Sequence, residues 1–400
     1  MPIQSAVGVG LAFRRETTFG TIATNDATAR AVPYVGHTLS LSKSAIESEE
    51  IRPDFQTATM RHGNRAVGGD LQLQLQTGTY SPLMESALRR DFATVTALAA
   101  LTNVAAASVG NGGTFTRAAG SWITDGLRVG MCVRMTGWTT TAAANNARNY
   151  TIVTLTATVM TVAETVVTKA AGDSVVVSVP GRVTFIPSTG HTQSSYTVEE
   201  WNPDVPRSNR FLGCRVNTMA INAQPNARAD LTFGLLGRDR STATSRYFSS
   251  ATTPAASVMQ VGHNGLLVVN GTPSGIVTGF ELNLTNNMEV GAAVGSNLTP
   301  DVFHGRMVVN GRLTAYFDNT TLDDVFDLES EIGLVLRVSD DTSVNSNFLQ
   351  ITLPRIKLAG GSYSTANQSR VQSFDFSALR HEGTSGNEAT TLMLQDGSLT

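Results

Sequence analysis

One run of six residues constrains this chain more than any other. Leu71-Gln72-Leu73-Gln74-Leu75-Gln76 alternates apolar and polar side chains without a break. Successive side chains of a strand point to opposite faces, so a period of two marks a strand with one buried and one wetted side. Leu71, Leu73 and Leu75 are expected in a core. Gln72, Gln74 and Gln76 then form an uncharged polar wall or, in the plainer reading, an ordinary solvated face.

The same period recurs. Strands are expected at Arg215–Ala223, Ala229–Leu236, Gly275–Leu284, Gly305–Phe317, Ile332–Val338 and Phe348–Leu358, with Asn226, Gly237, Gly271, Pro273, Asn310-Gly311 and Gly360-Gly361 as the punctuation between them. Two helices are expected. Ser81–Arg90 has Ser81 as a cap, Pro82 in its first turn and an apolar stripe of Leu83, Met84, Ala87 and Leu88. Thr321–Glu329 carries Asp323 and Asp324 where the helix dipole favours them. The fold class is mainly β, with one or two short helices.

A shift to Ala, Thr, Val, Asn and Gly marks residues 93–185, with Trp122, Trp138 and a strand pair at Tyr150–Leu155 and Val159–Val162. The strand pattern resumes at Thr192–Trp201, so this stretch is expected to be a small β domain inserted between two parts of one sheet protein, residues 31–92 and 186–384. Residues 1–30 are an expected N-terminal arm and 385–400 an expected C-terminal tail. The insert carries a formal net +3, which leaves −6 for the rest of a chain whose total is −3. That split suggests surfaces facing in different directions.

The segment 40–63 is denser in charge than its surroundings, with Lys43, Glu47, Glu49, Glu50, Arg52, Asp54, Arg61 and His62. It reads as a long hairpin with an extended polar tip, and long excursions from compact domains are usually functional.

Chemistry is hard to find. His37, His62, His191, His263, His304 and His381 show no metal-helix spacing, and no nucleophile elbow exists. Gly8-Val9-Gly10 and Gly110-Asn111-Gly112-Gly113 neither follow a strand nor open a helix, so they read as turns, not phosphate loops. The stretch 339–347 lacks the closing Glu of a calcium loop. Glu49-Glu50 and Glu199-Glu200 are adjacent and point to opposite faces of a strand, so neither pair is an acid/base dyad. Cys132 and Cys214 read as two buried free thiols. No enzyme, catalytic residue, metal or cofactor is expected. The weakly acidic balance and the lack of a basic, aromatic-studded run argue against a protein that grips nucleic acid. No apolar run reaches the roughly 18 residues of a membrane-spanning helix, and the first twenty residues, with Arg14, Arg15 and Glu16, do not read as a secretory signal.

In order along the chain, several segments resemble those of tail tube proteins of long-tailed, siphovirus-type bacteriophages. Arg14-Arg15-Glu16-Thr17-Thr18-Phe19-Gly20-Thr21 is similar to that family's opening motif. Ser44–Asp54 resembles its charged loop, and Val67-Gly68-Gly69-Asp70-Leu71 with the Ser81–Leu88 helix resembles its strand and helix. Thr197–Glu200, Phe211–Asn217, Leu231–Gly237 and Leu353–Lys357 resemble later strands, and Phe115–Val162 a small inserted β domain.

The resemblance implies a tail-tube β-sandwich or barrel whose copies form homohexameric rings, stacked into a hollow tube in the virion and assembled in the host cytoplasm. The lumen would hold the tape-measure protein and then pass DNA without gripping it. Gln72, Gln74 and Gln76 would face that channel. Lys43, Glu47, Glu49, Glu50, Arg52, Asp54 and Arg61, with Arg14 and Arg15 of the arm, would make ring-to-ring contacts. Tail-terminator and baseplate proteins would meet the two ends of the tube. The insert would face outward toward a host-surface ligand, where it would obstruct a contractile sheath. The alternatives are a tail-terminator or baseplate ring of the same fold, and a β-rich carbohydrate-binding or adhesin module. The last would need clustered aromatics, which make up only 6% of the chain.

Overall fold

The computed structural model describes residues 3–254, 258–262, 265–274, 277–318, 320–366 and 368–399. Met1, His263, Asn319, the start of the expected Gly275–Leu284 strand and Thr400 lie outside them.

The chain is mostly β, with a curled half-barrel sheet. Hydrogen-bonded neighbours run in the order Ser40–Glu47, Met60–Gln74, Asp230–Gly237, Arg207–Ala223, Val277–Thr285, Val308–Tyr316, Ser369–Ala378, Phe348–Ala366, Glu331–Ser339 and Gly265–Val269, antiparallel at every step. Register follows the period-two pattern. One row crosses the sheet as Leu73, Leu231, Ile221, Leu282, Gly311, Phe376 and Leu358. Its side chains belong to one buried core with Leu71 and Leu75. Gly311 is required in that row, because a Cβ there would stand 2.5 Å from the Phe376 ring.

The expected Phe348–Leu358 strand is much longer, Phe348–Ala366. Its first half pairs with Glu331–Ser339 and Met393–Asp396, its second half with Ser369–Ala378, so it runs through two layers. The expected terminal tail is thus partly an internal strand: Met393–Asp396 is buried and also pairs with Arg182–Phe185. The expected N-terminal arm likewise contains the strand Gly10–Arg15, paired with Tyr196–Asn202. Both segments are too short to show a clear period on their own.

The helix Ser81–Leu88 buries Leu83, Met84, Ala87 and Leu88 against the core. Ser81 is not its cap. Tyr80 occupies that position, and Ser81 donates instead to the Gly78 carbonyl. The second helix is Thr321–Asp327.

Residues 104–178 build a separate 6-stranded sheet with its own core, in which Phe115 packs against Trp138 and edge-on against Tyr150. This insert is docked on the body through a small apolar cluster, Val153 and Ala163 against Val268 and Val335, and through polar contacts. Arg337 donates to Glu164 and to Thr151, each at 2.8 Å. Gln395 accepts from the Cys132 amide and donates to its carbonyl. Arg128 pairs with Glu388, and Arg134 donates to the carbonyls of Asn345 and Ser346. Three of the insert's ions, Arg128, Arg134 and Glu164, are turned toward the body, because burying an interface demands a partner for each ion in it.

Candidate functional site

Over most of the sheet the face opposite the core is a polar wall; on Glu331–Ser339 and the first half of Phe348–Ala366 that face also carries Val335, Gln350 and Thr352, which are buried against the insert. The wall's first row reads Gln72, Thr232, Ala220, Asn283, Asn310, Ser377, Lys357 and Glu331. Its second reads Gln74, Asp230, Asn222, Glu281, Arg312, Asp375 and Gly360. Carboxylates outnumber cations on these rows, and the cations have carboxylate partners. Arg312 lies 2.7 Å from Asp375, and Lys357 lies 2.7 Å from Glu329. The Asp375 pair holds Arg312 more firmly in its charged form, and Lys357 lowers the pKa of Glu329.

The glutamines of the opening motif split. Gln72 is exposed and Gln74 half-buried on the wall, while Leu71, Leu73 and Leu75 are buried behind them. The strand ends at Gln74, so Gln76 lies past it and accepts a bond from Thr79. Asn222, Asn283 and Asn310 widen the wall beyond what a single alternating run reveals. They could have been found in the sequence only by knowing which strands pair.

The charged hairpin consists of Ser40–Glu47 paired with Met60–Gln74, so its strands reach further than expected and its tip is residues 48–59. Lys43, Glu47, Glu49, Glu50, Arg52, Asp54 and Arg61 are all exposed. Arg52 and Asp54 pair with each other at 3.0 Å. The tip also presents Ile51 and Phe55, fully exposed, with Ile46 and Met60 partly so. Counting charge alone passes over these apolar side chains.

The two arm arginines are engaged within the chain. Arg14 pairs with Asp26, and Arg15 with Asp91. The residues beside them do more for the fold. Glu16, almost fully buried, accepts from the Gly20 and Gly213 amides and from the Ser195 and Thr197 hydroxyls. Phe19 lies under the Arg215 guanidinium, 4.6 Å from ring centroid to carbon. Gly20 and Gly213, at φ +69° and +66°, adopt the left-handed region. A Cβ on Gly213 would press on the Phe19 ring at 3.0 Å. The motif is a lock between the N-terminal strand and the body.

The remaining candidates are structural as well. Glu199 is buried and accepts from the Ser208 hydroxyl and the Tyr247 and Phe248 amides, pinning that loop. The 339–347 stretch closes as a turn, with the Asp340 amide donating to the Asn347 carbonyl. Both cysteines are buried and free. Among the described residues, no cluster of His, Cys, Asp or Glu is arranged to hold a metal, and no helix is long and apolar enough to cross a membrane.

What the fold defines is a β-rich structural subunit with a polar sheet face, a projecting hairpin and a docked insert. The family described as phage tail tube protein matches residues 6–189 and 171–378, most of the chain. The chain belongs to that family and is a structural component of a phage tail. Among curated proteins, no match is found.

Proposed function

We propose that this chain is the major tube subunit of a long, non-contractile tail. Six copies close into a ring, rings stack, and the tube holds the tape-measure protein before it conducts DNA. Assembly takes place in the host cytoplasm, with tail-terminator and baseplate proteins closing the two ends.

The polar wall carries this reading. A channel for DNA must wet the polymer without holding it, and each phosphate neutralised by a protein cation adds salt-dependent grip. A curved face of Gln, Asn, Ser and Thr, with a surplus of carboxylates and its cations paired, supplies that condition. The sheet ends in the strand Ser40–Glu47 on one side and, beyond Gly265–Val269, in the two-residue strand Thr272–Pro273 on the other. Joining such edges between copies removes unpaired backbone that would otherwise aggregate.

The apolar side chains support head-to-tail stacking. Ile51 and Phe55 stand at the hairpin tip. Following the registers away from that tip leads past Asp375 to the exposed Phe317 and Tyr363 and to Phe326 of the second helix with Leu328 just past its end. Patches at opposite ends of one subunit make a heterologous contact, which extends into a filament. The insert, docked at the Glu331–Ser339 end of the sheet, is the part open to a host-surface ligand in this reading.

Negative-stain microscopy of the purified protein tests this. Tubes of constant bore are expected, and deletion of residues 43–61 should leave rings or subunits. Monomers from the intact chain, or an assembled lumen lined by Lys and Arg, would overturn it.

A further inference from the structure

Between Val277–Thr285 and Val308–Tyr316 the chain makes a long excursion, tied at its base by two buried arginines. Arg89, at the end of the first helix, donates to the Gly305 carbonyl at 3.1 Å and to the Asn286 side chain at 3.0 Å. Arg215, on Arg207–Ala223, pairs with Asp301 at 2.9 Å and donates to the Val302 carbonyl. His304 lies between these anchors, and both its ring nitrogens are shut off from solvent with no hydrogen-bond partner.

The groups acting on His304 are Arg89 from the helix, His191 from the segment before Tyr196–Asn202, Arg215 from the long strand and Asp301 from its own loop. Glu16 also acts on Arg215. The carboxylate nearest in the chain, Asp301, is already spent on Arg215. The outer part of the excursion braces the hairpin. The Arg65 amide donates to the Asn297 carbonyl at 2.9 Å, and the Thr299 hydroxyl donates to the Arg65 carbonyl at 3.0 Å. Asn64 reaches the Gly291 carbonyl at 3.4 Å.

We propose that residues 286–305 form an acid-sensitive latch on the base of the charged hairpin, with His304 as its sensor. A proton on His304 adds a third cation between two guanidinium groups, at the point where their contacts hold the loop shut. The closed loop therefore favours the neutral ring. Burial, then Arg89 and Arg215, push the His304 pKa down to about 4. An opened loop restores the ordinary value near 6.5. The closed form thus binds fewer protons, so its stability is full above the ordinary value and erodes as pH falls toward the depressed one. The latch is a property of the single subunit and holds whether or not rings stack.

Hydrogen exchange of the full chain, corrected for intrinsic rates, tests it. Between pH 7.5 and pH 5, opening of 287–305 and of 60–66 is expected to rise on the order of tenfold, with the Leu73 row unchanged. His304→Gln should abolish the rise, and His191→Gln should keep it. An NMR titration of the wild-type histidines gives a readout that needs no variant, and His304 should titrate well below the ordinary range. Titration of His304 at its ordinary pKa, exchange that ignores pH, or an undiminished rise in His304→Gln would overturn the latch.

Discussion

The Glu16 carboxylate accepts the Gly213 backbone amide at 2.8 Å across 197 positions of sequence. The same carboxylate takes the Gly20 amide and the hydroxyls of Ser195 and Thr197. Removing it would orphan donors contributed by three separate segments. Glu16→Ala is expected to cost on the order of 3 kcal/mol, seen as an earlier thermal transition in calorimetry. Glu16→Gln keeps the shape but offers a donor at one oxygen site, so it should fall between alanine and wild type. An alanine variant as stable as wild type would remove Glu16 from its role as the lock.

The seam between insert and body depends on Arg337 and Glu164, both mostly buried. Breaking one side of such a pair leaves the other ion stranded, while replacing both with apolar groups is often tolerated. Glu164→Leu alone is expected to cost about 3 kcal/mol and to open the seam to limited proteolysis. Glu164→Leu combined with Arg337→Met should recover part of that loss. If the double variant proves worse than the single one, the pair adds more than mutual compensation.

The first part of the fold to be legible was the strand set, because alternation is a local property. Leu71 to Gln74 could be assigned to faces without any partner in view, and their burial follows that assignment. Tyr150–Leu155 and Val159–Val162 were equally plain. The pairing was not legible. Nothing local to Asn283 or Asn310 says that both stand in one row with Gln72. Gln76 lies past the strand's end at Gln74, a boundary that alternation alone does not mark. Nothing local to Glu16 or Glu199 marks either as buried, since a buried carboxylate is recognised only by donors that arrive from far along the chain. The inward-turned ions of the insert were hidden for the same reason.

Burial also governs the cysteines. It pushes the Cys132 thiol up to about 12 and raises that of Cys214 further. The thiolate is the reactive form, so at pH 8 both should be inert to a disulfide reagent while the protein is folded. Both should react after denaturation. Rapid labelling of the native protein at either position would mean that the surrounding core opens far more readily than its packing implies.

On the wall, Arg312 is neutralised by Asp375 through bonds at 2.7 and 3.4 Å. Both side chains are more than half exposed, so the pair contributes little to the fold. Its proposed value lies in what it denies to a passing phosphate. Asp375→Asn should leave the melting temperature unchanged and free one guanidinium per subunit, which ring symmetry would repeat around the channel. Tubes of this variant are expected to retain DNA more strongly at low salt, with an affinity that falls more steeply as salt rises. Arg312→Gln in the same background should restore weak retention, because it removes the freed cation. Equal DNA retention by wild-type and Asp375→Asn tubes over a salt series would place this face away from the nucleic acid and separate the polar wall from the lumen.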